Sequence, residues 1–189
     1  MRYGMSVLIA GLLTLGLCGA GHAAQSGFTE QKADGLSMEL PSAWKVMPAE
    51  ALAELQKRQP GGKMLLAAEG DVQNFPKLFV MTRQDPGAGA NKLSDSEVKT
   101  WCDTLKDNLK KQLGDKYQEL VCGKATTKAG VALAMEMTVP TGGPEMVSVT
   151  WTLPRGDNSL VATAMFPKTD EAKLLPLVKK SFESIQLSK

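Results

Sequence analysis

Few residue types in this sequence are equipped for chemistry, and their spacing narrows what that chemistry can be. The one histidine, His22, sits at the end of an apolar N-terminal stretch that reads as a removable leader, so the working chain is expected to carry no imidazole. Without one there is no Ser-His-Asp or Cys-His nucleophile, no histidine general base and no histidine-ligated metal. Met135 and Met137 share a face if their segment is a strand, and two thioethers there could hold copper(I); Met146, Met64 and Met81 would have to converge on the same place to strengthen such a site. That face also carries Val131, Leu133 and Val139, and apolar packing is the simpler use of the pair. Glu136 alternates with the methionines and reads as a solvent-facing acid or as one beneath a helix with a partner. A carboxylate pair acting on a sugar would need a second acid across the sheet. Arg155-Gly156-Asp157 matches an adhesion tripeptide but has the composition of a hairpin turn. Gly87-Ala88-Gly89 and Thr141-Gly142-Gly143 lack the lysine and the strand-to-helix setting of a phosphate loop. No catalytic residue, cofactor-binding residue or metal ligand is assigned from these patterns.

The leader has the three-part form of a secretory signal peptide: Met1-Arg2, an apolar run over 6–17, then small residues ending Gly21-His22-Ala23-Ala24. A run of that length is too short for a bilayer anchor, which needs about 20 residues. Cleavage is expected after Ala23, with Ala24 as the alternative. A rival reading is a lipoprotein acylated at Cys18, which the bulky Leu17 before it disfavours. Residues 1–23 are therefore read as a cleaved signal peptide, 24–34 as a flexible N-terminal segment and 35–189 as a single domain. No later segment reads as membrane-spanning, and with no N-glycosylation triplet the expected compartment is a bacterial periplasm.

In that oxidising setting Cys102 and Cys122 are expected to pair. If Cys102 lies on a helix ending near Gly114, about 12 residues at about 1.5 Å each separate it from the helix end. A strand rising about 3.3 Å per residue returns over that distance in five or six residues after a short turn, which arrives near Cys122. The bridge would contribute on the order of 3 kcal/mol in the chain-entropy picture. The alternative is two buried thiols.

These residues need a frame, and periodicity outlines it. Alternation predicts strands over 36–40, resumed at Trp44-Lys45-Val46, then over 63–68 and 77–83, with a short helix over 48–58 between. Ser94-Asp95-Ser96-Glu97 is a capping box, followed by Val98, Trp101, Cys102, Leu105, Leu109 and Leu113 at helical spacing up to Gly114. Strands are predicted over 117–126, 131–139, 146–153 and 159–166, the last apolar on both sides. A final helix is predicted over 171–187, regular only from Pro176 onward. Strands, a long helix, a meander and a terminal helix make an α+β domain, an antiparallel sheet flanked by helices.

At this point the chain resembles a known family. Gly35-Leu36-Ser37-Met38-Glu39-Leu40-Pro41-Ser42-Ala43-Trp44, an alternating strand running into proline and then tryptophan, looks like the opening of the PsbP-like superfamily. The closing Met165-Phe166, an acidic patch and Lys179-Lys180-Ser181-Phe182 are similar to its bacterial DcrB-type periplasmic members. The resemblance implies an α/β/α sandwich and mainly non-enzymatic accessory, adaptor or assembly roles, and it brings no catalytic residues.

Charge adds little attraction of its own. The chain has 22 basic and 20 acidic residues, and loss of Arg2 leaves 21 against 20, so neither nucleic acid nor an anionic membrane surface is expected as a partner. Trp101 and Trp151 fall on apolar faces and are expected in the core. Trp44 and Phe75 are the expected partner or pocket surface. The expected function is a non-enzymatic periplasmic accessory or adaptor that binds an as yet unidentified envelope protein. The alternative is a periplasmic small-ligand or metal-binding protein, with a carboxylate-based hydrolase behind it.

Overall fold

The structure, a computed structural model, describes residues 27–58, 61–85, 93–140 and 143–188. The leader with Cys18, Ala23 and Ala24, the Gly87-Ala88-Gly89 segment, and Thr141 and Gly142 lie outside the described residues. The chain opens with a hairpin, β1 (Phe28–Ala33) and β2 (Leu36–Pro41), followed by β3 (Lys45–Val46), α1 (Ala49–Arg58), β4 (Lys63–Val72) and β5 (Phe75–Gln84). Helix α2 (Asp95–Leu113) leads into β6 (Val121–Thr127), β7 (Gly130–Val139), β8 (Met146–Arg155) and β9 (Asn158–Pro167). Helix α3 (Glu171–Glu183) and β10 (Gln186–Leu187) close it.

Two antiparallel sheets result, a small one ordered β1-β2-β10 and a long one ordered β3-β4-β5-β9-β8-β7-β6. One face of the long sheet presents Val80, Val149, Ala162 and Phe166, all fully buried. Leu174, Val178 and Phe182, four residues apart on α3, pack onto that face together with Met38 and Leu40 of the small sheet. Burying side chains of this size is worth roughly 1.5–3 kcal/mol each. Helix α2 lies on the other face, against β6. The architecture is the α+β sandwich expected, with one outer layer shared between α3 and the small sheet.

Several expectations need correction. Residues 28–33 are not a flexible segment: they form β1, in register with β2 from Phe28 opposite Pro41 to Ala33 opposite Leu36. The signal was present in Asp34-Gly35, both at positive φ, the dipeptide that favours a tight hairpin. The Asn74-Phe75-Pro76 loop shrinks to Gln73 and Asn74, also at positive φ, because β5 already begins at Phe75. Strand β6 begins at Val121 instead of 117: Gly114–Lys116 makes a 3-10 turn, and the Leu120 backbone N–H donates to the Tyr117 hydroxyl (3.3 Å), not to a neighbouring strand.

Helix α3 starts at Glu171 and passes through Pro176, since its buried stripe stabilises the first turns despite the missing N–H. It stops at Glu183, and residues 186–187 leave to pair with β2. Strand β9 is buried on one side from Leu160 to Phe166; on the other only Ser159 is buried, and Val161, Thr163 and Met165 are half-buried. The faces of β7 are the reverse of those expected: Ala132, Ala134 and Glu136 lie toward α3, and Leu133, Met135 and Met137 lie toward the α2 side.

Candidate functional site

Each face of the long sheet carries a depression, the one on the α3 side at the β6 end and the other over β7, β8 and β9. The one on the α3 side, about 670 Å³, has a floor of small residues, Gly123, Ala125 and Ala134. Trp151 and Lys179 form its walls. Lys179 donates to Glu136 Oε1 at 2.7 Å, and the glutamate side chain is only 18% exposed. Glu136 therefore takes the second of its two sequence readings, an acid beneath a helix whose partner accounts for its burial. Trp151 stacks edge-on against Phe182, with ring centroids 5.6 Å apart, and its indole N–H has no acceptor among the described residues.

The groove on the other face, about 450 Å³, runs between α2 and the sheet. Val98, Trp101, Leu133, Met135 and Val161 make it mainly apolar, and Arg83, Asp85 and Ser159 mark one end. Ser159 Oγ donates to Asp85 Oδ2 at 2.8 Å, so that end is internally hydrogen-bonded. Helix α2 is closed at its start by its own capping box and tied to β6 at two places. Ser94 Oγ accepts from the Glu97 backbone N–H (3.3 Å) and Glu97 Oε2 accepts from the Ser94 N–H (2.8 Å). Cys102 and Cys122 form a disulfide with Cα atoms 5.8 Å apart, as the helix-return geometry requires. Lys124 Nζ lies 2.6 Å from Asp95 Oδ1. The hydrogen bond from Lys124 holds the Asp95 carboxyl below its ordinary range, and bonds from Ser94 do the same for Glu97. Both acids sit in the first turn, where the helix dipole also favours negative charge.

The two aromatic residues expected at a surface are not the ones found there. Trp44 is 6% exposed and belongs to the main core. Phe75 is half-buried and packs against that core. Trp101, expected inside, is 45% exposed and lines the groove. Consecutive helical residues diverge by about 100°, so once Cys102 turns to the sheet to reach Cys122, its neighbour Trp101 is carried to the side. The cysteine pairing was the signal that could have placed it. Met135 lines the same groove, while Arg155-Gly156-Asp157 is the tight connection between β8 and β9, with Gly156 at φ 58°.

By sequence, no family model matches the chain and no curated protein matches it significantly. By fold it is similar to solved structures. The cyanobacterial PsbP protein of Synechocystis, CyanoP, superposes with a TM-score of 0.50 at 12% identity, covering 92% of this chain and 98% of its own. LpqN of Mycobacterium tuberculosis, involved in cell envelope biogenesis, gives 0.50 at 12% identity over 89% of this chain and 88% of its own. A Bacteroides thetaiotaomicron protein gives 0.51 at 11% identity, over 82% of this chain; that protein is about twice as long, with 46% of it covered. At such identities the likeness concerns the fold, which is PsbP-like.

Proposed function

We propose that this PsbP-like chain is a non-enzymatic accessory protein of a bacterial envelope. In this reading a leader cleaved after Ala23 delivers it to the periplasm, and it binds a protein partner there as DcrB-type members of the superfamily are expected to do. The observation that carries the reading is the apolar groove beneath α2. A half-exposed tryptophan on its rim is the kind of residue that anchors protein interfaces, and the disulfide and the Lys124–Asp95 pair hold that rim against the sheet before any partner arrives. The envelope role of LpqN supports the compartment. The net charge near zero supports a partner recognised by shape and apolar contact, not by charge.

The test is site-specific photocrosslinking in cells. A photoreactive residue at position 101 is expected to capture one envelope protein reproducibly, and one at Glu50 of α1 is expected not to. Trp101→Ala should reduce co-purification of that partner while leaving the fold intact. Equal labelling from both positions, or a solitary chain under both, would overturn the proposal. The mass of the purified chain, read in the same experiment, tests cleavage after Ala23 against acylation of Cys18.

A further inference from the structure

The reversed face of β7 brings together methionines that are far apart in sequence. Met137 is directly opposite Ser148 on β8, and Ser148 is directly opposite Met165 on β9. Met146 lies two residues before Ser148 on the same strand and the same face, so it is the diagonal neighbour of both other methionines. Diagonal positions are about 7–8 Å apart and within reach of long side chains. Three flexible thioethers therefore ring one small residue. None belongs to the core: among the described residues the buried methionines are Met38 and Met64, whereas Met137, Met146 and Met165 are all half-buried. Met81 pairs across to Met64 and to Val161, four residues along the sheet from Met165, and takes no part.

We propose that Met137, Met146 and Met165 form a binding site for a soft monovalent d¹⁰ cation, copper(I) in the cell, held by three thioether sulfurs. The ligand chemistry sets the selectivity. Neutral thioether donors suit copper(I), while magnesium and copper(II) favour oxygen or nitrogen ligands and zinc is held by anionic thiolate, imidazole or carboxylate, none of which this ring supplies. The nearest charge on the row, Lys77 opposite Met165, is paired with Glu69, so it does not oppose a cation as a bare charge would. Each methionine has three rotatable bonds, enough to turn three sulfurs toward one point above Ser148. None of the three methionines lines the proposed partner groove, whose edge reaches Met135 and Thr150 next along the same face, so failure of the site would leave that reading untouched.

Silver(I) nitrate is the first probe, because it needs no reductant and leaves Cys102–Cys122 oxidised. With the purified chain labelled on its methionine methyl groups, one equivalent is expected to shift the resonances of Met137, Met146 and Met165 and to leave Met38 and Met81 in place. Copper(I), presented anaerobically against a chromophoric chelator, should bind with the same stoichiometry, and excess zinc(II) should not compete. Met137→Leu with Met165→Leu should weaken binding at least tenfold, whereas Met81→Leu should not change it. These exchanges keep side-chain volume and apolar character and are usually tolerated, and circular dichroism verifies the fold. Absence of binding, shifts centred on other residues, or unchanged affinity in the double variant would overturn the proposal.

Discussion

Trp44 and Trp101 have the same side chain in opposite surroundings, and truncation should separate them. Trp44→Ala empties a place in the main core and is expected to lower stability by about 3–5 kcal/mol. Trp101→Ala removes a side chain that is 45% exposed, with an expected loss of no more than about 1 kcal/mol. Urea midpoints of the two variants would decide, and similar losses would contradict the assignment. Gly70 is a second residue fixed by its neighbours. A Cβ there would stand 1.8 Å from the Phe75 carbonyl oxygen, a clash with backbone that no rotamer relieves. Gly70→Ala should cost on the order of 1–3 kcal/mol. Of the residue-level readings, the cysteine pair was legible because helix and strand rises are constants. The tryptophans were not, because a residue's type gives its preference for burial but not which way its element faces.

At the scale of elements, α2 is the piece whose position decides the groove. Its capping box and disulfide were both readable before the fold, since each depends on spacing along a short stretch. Ser94→Ala should cost about 1 kcal/mol, and Glu97 should then lose the hydroxyl bond, the larger of the two that hold its carboxyl low, while keeping the one from the backbone N–H of residue 94. Replacing Cys102 and Cys122 together by alanine removes a link across a separation of 20 residues, expected to cost about 3 kcal/mol. A further consequence distinguishes this bond from a merely global stabiliser: hydrogen exchange should accelerate in α2 and β6 more than in α3 and β9, because the latter pair retains its own packing. Uniform acceleration would mean that α2 is held by the rest of the fold without the bridge. Strand β1 escaped notice for a different reason. Thr29, Glu30, Gln31 and Lys32 are polar, so their pairing follows from the Asp34-Gly35 turn and from the free edge of β2, and β2 becomes an available partner only once the fold exists.

The whole molecule is a set of layers, and here the alternation of residues was a good guide to the strands but not to the side on which β7 packs. Strand β7 carries small residues, Ala132 and Ala134, on the face where Trp151 and Phe182 already fill the space, and its larger residues on the other. A reader of β7 alone assigns the core to the larger side chains; only the bulk supplied from α3 and β8 makes the alanine face the inner one. The layers are then joined by polar contacts at their margins. Glu39 of the small sheet receives Lys128 from the β6–β7 turn at 2.7 Å, Asp34 receives Lys63, and Lys124 reaches Asp95. Along α2, Lys99 is bonded to Asp103 at 2.6 Å. In each case the lysine hydrogen bond, ahead of the charge itself, holds the carboxyl below its ordinary range. A carboxyl whose folded value is depressed adds stability above its unfolded value, near 3.9–4.3, and that stability is lost as pH falls through the folded value. The reverse holds for Lys99, raised by its bond to Asp103, whose contribution is lost only in strong alkali. The melting temperature should therefore be level from about pH 5 to 8 and fall below about pH 4. All these acids are exposed, so added salt should shrink the effect. Asp95→Asn should flatten part of the acid limb without moving the plateau by much. A melting temperature that rises on acidification would mean that these pairs do not hold the layers together in solution.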